Sequence, residues 1–126
     1  MKPDLLYPEL SFSIVSCAFE VHNILGGGLP EKTYQSALAS EFAKRNIPYS
    51  EQYFSNTLYK NKKIQWNFSD FIVEDLIIGE LKSSSRIILA DFKQTKKDLK
   101  ATDKKLGILL HFGNEQLTFK RVINLY

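Results

Sequence analysis

The sequence predicts one α+β or α/β domain built in three layers. Two stretches with apolar residues at helical spacing come first, and the tract from Tyr49 to Lys82 then alternates at strand spacing. A further helical stretch precedes an all-apolar strand, and this order of elements calls for helices packed on a sheet. A chain of 126 residues is long enough to bury one core and too short for two. It shows no repeat, low-complexity tract or linker, so 1–126 is read as a single domain.

Residues 9–25 read as a helix, with Ile14, Ala18, Val21, His22 and Leu25 recurring along one side. Gly26-Gly27-Gly28 closes it, because glycine tolerates the left-handed backbone that follows a helix end. Pro30 suits the first position of a second helix, with Glu31 in its first turn. That helix runs to about Arg45, buries Tyr34, Ala37, Leu38 and Phe42, and stops before Pro48. Tyrosine and phenylalanine then mark a strand from Tyr49 to Tyr59. Lys60-Asn61-Lys62 makes a turn, and Ile64, Trp66 and Phe68 alternate with polar neighbours beyond it. Ser69–Val73 leads to a polar break at Glu74-Asp75, and Leu76–Lys82 forms the next strand. Residues 89–104 read as a helix and Leu106–Phe112 as a buried strand. Gly113-Asn114 turns the chain into a last strand, Thr118–Leu125.

Composition removes several classes of function. With 44% hydrophobic and 25% charged residues, the chain lies in the globular range and not the disordered one. No run of 18 apolar residues exists to span a membrane. Asp4 and Glu9 stand where a secretory leader would be basic and then apolar, so a cytoplasmic protein is expected. Cys17, the lone cysteine, cannot form an internal disulfide, and no Cys/His cluster points to zinc. No Ser or Cys stands beside a suitable base for nucleophilic catalysis. The three glycines follow no strand and precede no Gly-Lys-Ser/Thr, so neither a dinucleotide fingerprint nor a P-loop is present.

Asp70 and Glu80 lie on otherwise apolar strands, which makes the register of their hairpin decisive. A plain two-residue loop at Glu74-Asp75 would set Glu80 among Phe71, Val73 and Ile78. A three-residue or bulged connection instead pairs positions whose numbers sum to 150. Phe71, Val73, Ile77, Gly79 and Leu81 then share one apolar face, and Asp70, Ile72, Ile78, Glu80 and Lys82 share the other. A one-residue slip would exchange the faces, so the apolar set selects this register. Asp75 or its neighbour takes the left-handed position in the turn.

Two carboxylates on neighbouring strands repel unless a cation sits between them, and oxygen ligands suit Mg²⁺ or Mn²⁺. Lys82, on the same face, can orient a water or neutralise developing negative charge. The plainer reading is a salt-bridge group in which Lys82 pairs with both acids. The separating condition is geometric: Asp70, Glu80 and Glu31 must come within reach of one cation. Glu31 itself has a plain reading, a carboxylate complementing a helix dipole, beside the functional one of a further metal or water ligand.

The net charge is +3, and its excess sits in one segment. Residues 93–105 hold six lysines against two aspartates, which leaves +4 there and −1 over the rest. On a helical wheel Lys93, Lys97, Lys100 and Lys104 form one stripe, suited to phosphate contact or to plain solvation, while Phe92, Thr95 and Leu99 point to the core. Gln94 lies off the stripe, where its side chain can approach the face bearing the acids. His22 reads as a hydrogen-bonded core histidine.

Several stretches together resemble a known family. Glu20-Val21-His22, Leu25-Gly26 and Gly28-Leu29-Pro30-Glu31-Lys32-Thr33-Tyr34 are similar to the signature of the GxxExxY proteins. Ser69–Glu74, Ile78-Gly79-Glu80-Leu81-Lys82, Gln94 and Gly107–Gly113 resemble that family's nuclease-like core, in the same order. The family in turn resembles the PD-(D/E)XK nuclease superfamily, which implies a three-layer restriction-endonuclease-like core, a mixed β-sheet flanked by helices. The resemblance implies Asp70 and Glu80 as metal ligands with the Leu81 carbonyl, Lys82 as the catalytic lysine, Glu31 as the acid from the helical layer, and Gln94 as a supporting residue. In the family the helix after Gln94 is richer in Leu and Tyr, where this chain has Thr95, Lys96, Lys97 and Asp98.

The expected function is phosphodiester hydrolysis dependent on Mg²⁺ or Mn²⁺, on DNA before RNA. The rival is a non-catalytic nucleic-acid-binding or protein-interaction module on a retained nuclease fold. A duplex substrate is expected to call for a homodimer or a companion subunit, and no membrane partner is expected.

Overall fold

The structure, a computed structural model, describes residues 6–84 and 86–125, with the backbone alone for residues 54–58 and 63–68. The expected alternation of Ile64, Trp66 and Phe68 therefore lies outside the described side chains. Helix α1 spans Pro8–Leu25 and α2 spans Glu31–Lys44. Strands β1 (Tyr49–Tyr59), β2 (Lys62–Val73) and β3 (Ile77–Lys82) follow. Helix α3 (Leu89–Thr102) leads to β4 (Leu106–Phe112) and β5 (Leu117–Ile123).

The five strands form one sheet in sequence order. Neighbours are antiparallel except β3 and β4, which are parallel and joined by the α3 crossover. On one face α1 and α2 close a core containing Ile14, Ala18, Tyr34, Leu38 and Phe42 over Phe71, Val73, Ile77 and Leu81. On the other, Leu99 of α3 packs with Ile72, Ile78 and Val122. Each buried Leu, Ile or Phe contributes roughly 1.5–3 kcal/mol. This is a mixed sheet flanked by helices, the architecture of a restriction-endonuclease-like core.

The β2–β3 hairpin has the register that its apolar faces require: Phe71 opposite Gly79, Ile72 opposite Ile78, Val73 opposite Ile77. Glu74 and Asp75 both take left-handed conformations in the turn, at φ 50° and 57°.

Element boundaries depart from the sequence reading by small amounts with clear causes. Pro30 caps α2 in an extended conformation, so Glu31 is the first helical residue. Leu76 belongs to the hairpin turn and donates its N–H to the Val73 carbonyl, so β3 begins at Ile77. Asp103 adopts a left-handed conformation at φ 58°, which ends α3 at Thr102 and leaves Lys104 outside the helix.

Candidate active site

The site forms where β3 ends, because the fold brings three layers together there. Strand alternation turns Phe71 and Leu81 into the α1/α2 core, so Asp70 and Glu80 face α3. Beyond Phe71 the side chain of Asp70 continues the strand pairing: the Leu81 N–H donates to Asp70 Oδ2 at 2.7 Å. Glu80 is only 8% exposed, held between its strand and α3.

Helix α3 sits close to the sheet because β4 has glycine beneath it. A Cβ at Gly107 would stand 2.9 Å from the Thr95 methyl and 3.5 Å from both Leu99 methyls. That close seat carries Asp98 against Glu80 and Asp91 beside Lys82. Gln94 Nε2 donates to Asp98 Oδ1 at 3.0 Å, and Asp98 is fully buried. Lys82 Nζ lies 3.9 Å from Asp91 Oδ1, while Asp91 Oδ2 accepts the Ile88 N–H at 2.9 Å.

Glu31 enters from the opposite layer, and the residues around it explain how. Tyr34 Oη donates to the Gly26 carbonyl at 2.7 Å and accepts from the Leu29 N–H at 3.2 Å. The chain between α1 and α2 is thus wrapped around one buried tyrosine, whose ring stacks on Phe112 at 4.5 Å. His22 Nε2 donates to the Gly113 carbonyl at 2.7 Å, and Gly27 lies against the Asn114 backbone with no room for a side chain. His22 is therefore a hydrogen-bonded core residue, as the sequence indicates. Together these contacts fix the start of α2 beside β4.

The electrostatics tie the acids into one group. Burial raises the Glu31 carboxyl above its ordinary range and the Asp70 charge raises it further, while Lys82 pulls it down. Burial also raises Asp70, against the Leu81 N–H and Lys82, which favour its ionised form. Glu80 is pushed up to about 10, first by burial, then by hydrogen bonding to Asp98 and by the Asp98 and Asp70 charges. Glu80 Oε1 and Asp98 Oδ2 are nevertheless buried acceptors without a donor partner, and the buried Ser69 hydroxyl also lacks a closed hydrogen bond.

Buried oxygens of Glu80 and Asp98 that lack donors, next to an Asp70 whose ionised form Lys82 and the Leu81 N–H favour, are a donor set suited to a hard divalent cation. The fit is one of chemistry and charge. Among the described residues no three His, Cys, Asp or Glu side chains stand close enough to hold an ion as they lie, so the ligand set is not preassembled.

Lys93, Lys97 and Lys100 are exposed on α3, away from the sheet. Lys104, the fourth of the stripe, pairs with Asp75 Oδ1 at 3.2 Å. A hollow of about 500 Å³ among Pro48, Tyr49, Tyr53, Ile72, Glu74 and Asp75 lies at the β2–β3 turn, the opposite end of β3 from Lys82.

Asp91, Asp98 and His111 carry contacts that motif reading passes over. Asp98 falls beside Thr95 and Leu99 on the helical wheel, so the pattern that turns those two inward turns it inward too. Summing charge over residues 93–105 hides this. His111 sits opposite Lys82 across the β3–β4 ladder and donates from Nε2 to the Ser84 carbonyl, which latches the segment after Lys82. No local pattern announces that contact, because the two residues are far apart in sequence.

Residues 8–122 match the family model of the PD-(D/E)XK nuclease superfamily, and the chain belongs to that superfamily. Its members are typically nucleases and generally use divalent metals. No curated protein matches the sequence. Among solved structures the chain is similar to one described as the crystal structure of SSO0001, with a TM-score of 0.60 and 16% identity. The match covers 97% of this chain and 61% of that one, so the chain spans less than two thirds of the longer protein. It is also similar to an alkaline exonuclease (LHK-Exo) from Laribacter hongkongensis, with a TM-score of 0.50 and 11% identity over 85% of this chain and 76% of that one. At these identities the likeness speaks for the fold alone. Among the described residues no helix is long and apolar enough to cross a membrane.

Proposed function

We propose that this chain is a nuclease dependent on Mg²⁺ or Mn²⁺ that hydrolyses phosphodiester bonds, in DNA before RNA. The observation that carries the reading is the gathering of Asp70, Glu80 and Lys82 on one sheet face, with Glu31 close enough to feel both Asp70 and Lys82. Within the superfamily we place the chain with proteins bearing the GxxExxY signature, since Tyr34 holds the loop that presents Glu31.

Asp70 and Glu80 hold the cation, with the Leu81 carbonyl and Glu31 as further donors. A divalent cation supplies Lewis-acid polarisation of the scissile phosphate and lowers the pKa of an attacking water. Lys82, steadied by Asp91, places its ammonium where it orients that water and offsets charge developing on the phosphate. Gln94 supports the acids through Asp98. Lys93, Lys97 and Lys100 hold backbone phosphates on either side, with Lys104 joining when it leaves Asp75. The chain works as one cytoplasmic domain, and grips a duplex as a homodimer or with a companion subunit.

The test is a nuclease assay with Mg²⁺ or Mn²⁺ on linear, single-stranded and structured nucleic acids, comparing the natural chain with Asp70→Ala and Lys82→Ala. Cleavage lost in both variants supports the reading; equal cleavage by all three proteins marks a contaminant and ends it. A second reading, a non-catalytic nucleic-acid-binding or protein-interaction module, is favoured by one observation: Asp70 Oδ2 is already engaged by the Leu81 N–H. It requires nucleic-acid binding that survives Asp70→Ala with no cleavage by any of the proteins.

A further inference from the structure

Helix α3 contributes a carboxylate, Asp98, to which the nuclease reading gives no place among the cation ligands. Asp98 is completely buried, which an aspartate tolerates only when paired or bound to a cation. One of its oxygens is accounted for, since Oδ1 accepts from Gln94 Nε2 at 3.0 Å. The other, Oδ2, has no hydrogen-bond partner, and neither has Glu80 Oε1, the carboxyl within hydrogen-bonding reach of Asp98. With both groups ionised neither can donate, so the pair needs either a proton, which Glu80 keeps in the cation-free protein, or a cation in its place. No Lys or Arg of the described residues is paired with either acid. A third buried polar atom points the same way. The Ser69 hydroxyl, 0% exposed, lies next to Glu80 and is left without a closed hydrogen bond.

We propose that Asp98 is a further carboxylate ligand of the cation site, reaching it from α3 through Oδ2 alongside Glu80, with Gln94 positioning it through Oδ1. The proposal rests on the reading of Asp70 and Glu80 as cation ligands. It gives Gln94 a defined task, which is to fix the rotamer of the acid four residues further on. It also gives a reason for an acid at the foot of a lysine-rich helix, where a solvated residue would be free to face outward.

The experiment is a calorimetric titration of the full chain with Mn²⁺ alone, comparing the natural protein with Asp70→Asn, Asp98→Asn and Asp98→Cys. Asp98→Asn keeps the size and the contact to Gln94 while removing the charge, and is expected to weaken Mn²⁺ binding by roughly tenfold to a hundredfold. A lost neighbouring charge alone could weaken binding, so Asp98→Cys supplies a direct reading of ligation. A thiolate favours softer metals, so this variant should bind Cd²⁺ with a thiolate-to-metal ultraviolet band absent from the natural protein, whose Cys17 is buried in α1. Unchanged Mn²⁺ affinity in Asp98→Asn, or Cd²⁺ binding to Asp98→Cys without that band, overturns the role of Asp98 and leaves Asp70 and Glu80 standing. Absence of Mn²⁺ binding in the natural protein removes the cation site itself and this proposal with it.

Discussion

Glu80 holds a proton that the unfolded chain would release, and the consequence for stability has a definite sign. Its carboxyl rises from an ordinary value of 4.5 to about 10 on folding, through burial and the Asp98 and Asp70 charges. Between those two values the native state binds more protons than the unfolded state, so stability falls as pH rises. The contribution is complete below the lower value and is lost as pH climbs through the upper one. Glu31 and Asp70 are shifted in the same direction and add to the slope. Without divalent cations, the melting temperature should therefore fall between about pH 5 and about pH 9, and fall less in Glu80→Gln, which cannot ionise. Calorimetric melts across that range read both slopes. Parallel slopes would remove Glu80 as the source. On the proposed function a bound cation would take the place of the proton, so added Mn²⁺ should recover most stability at the alkaline end.

At the scale of elements, the seat of α3 on β4 decides whether its acids reach the site. Gly107→Ala would press a methyl group into Thr95 and Leu99, both fully packed against the sheet. Overpacking of this kind costs about 1–3 kcal/mol, and the expected relief is outward movement of α3 with Gln94 and Asp98 on it. Denaturant unfolding should show the loss of stability, and Mn²⁺ affinity should drop with it; an unchanged midpoint would mean that α3 has slack. The hairpin carrying Asp70 and Glu80 was legible in sequence because strand alternation leaves two choices of face, and Phe71, Val73, Ile77 and Leu81 exclude one. Glu31 was legible as a helix-start acid, but its approach to Asp70 depends on Tyr34 and His22 closing contacts between distant segments. Asp98 was hidden for a different reason. Its helix is lysine-rich, and net charge says nothing about which side of a helix an acid occupies. Lys104 shows the converse, since a stripe drawn on an ideal wheel continues past the point where Asp103 ends the helix.

Across the whole molecule, one helix divides opposite charges between its two sides. Asp98 is buried toward the sheet and its acids and half-buried Asp91 stands beside Lys82, while Lys93, Lys97 and Lys100 face solvent and exposed Gln94 reaches inward only through its bond to Asp98. A nucleic acid lying along the outer face would meet lysines before its phosphate reached the acids, and those acids would repel it unless a cation were bound. On the proposed function, this arrangement would separate affinity from chemistry. Phosphate contacts release counterions, so each lysine that neutralises one phosphate of a duplex adds about 0.9 to the slope of log affinity against log salt. Replacing Lys93, Lys97 and Lys100 together with Gln should flatten that slope by up to about 2.7 and weaken binding at low salt. Asp70→Ala should leave the slope nearly unchanged while abolishing cleavage. Fluorescence anisotropy with a labelled duplex, repeated over a salt series with each protein, reads both effects. A slope unaltered by loss of the three lysines would place the phosphate contacts on another surface. The sheet face bearing the acids would then have to be approached from the side of α2 and Glu31 and not along α3.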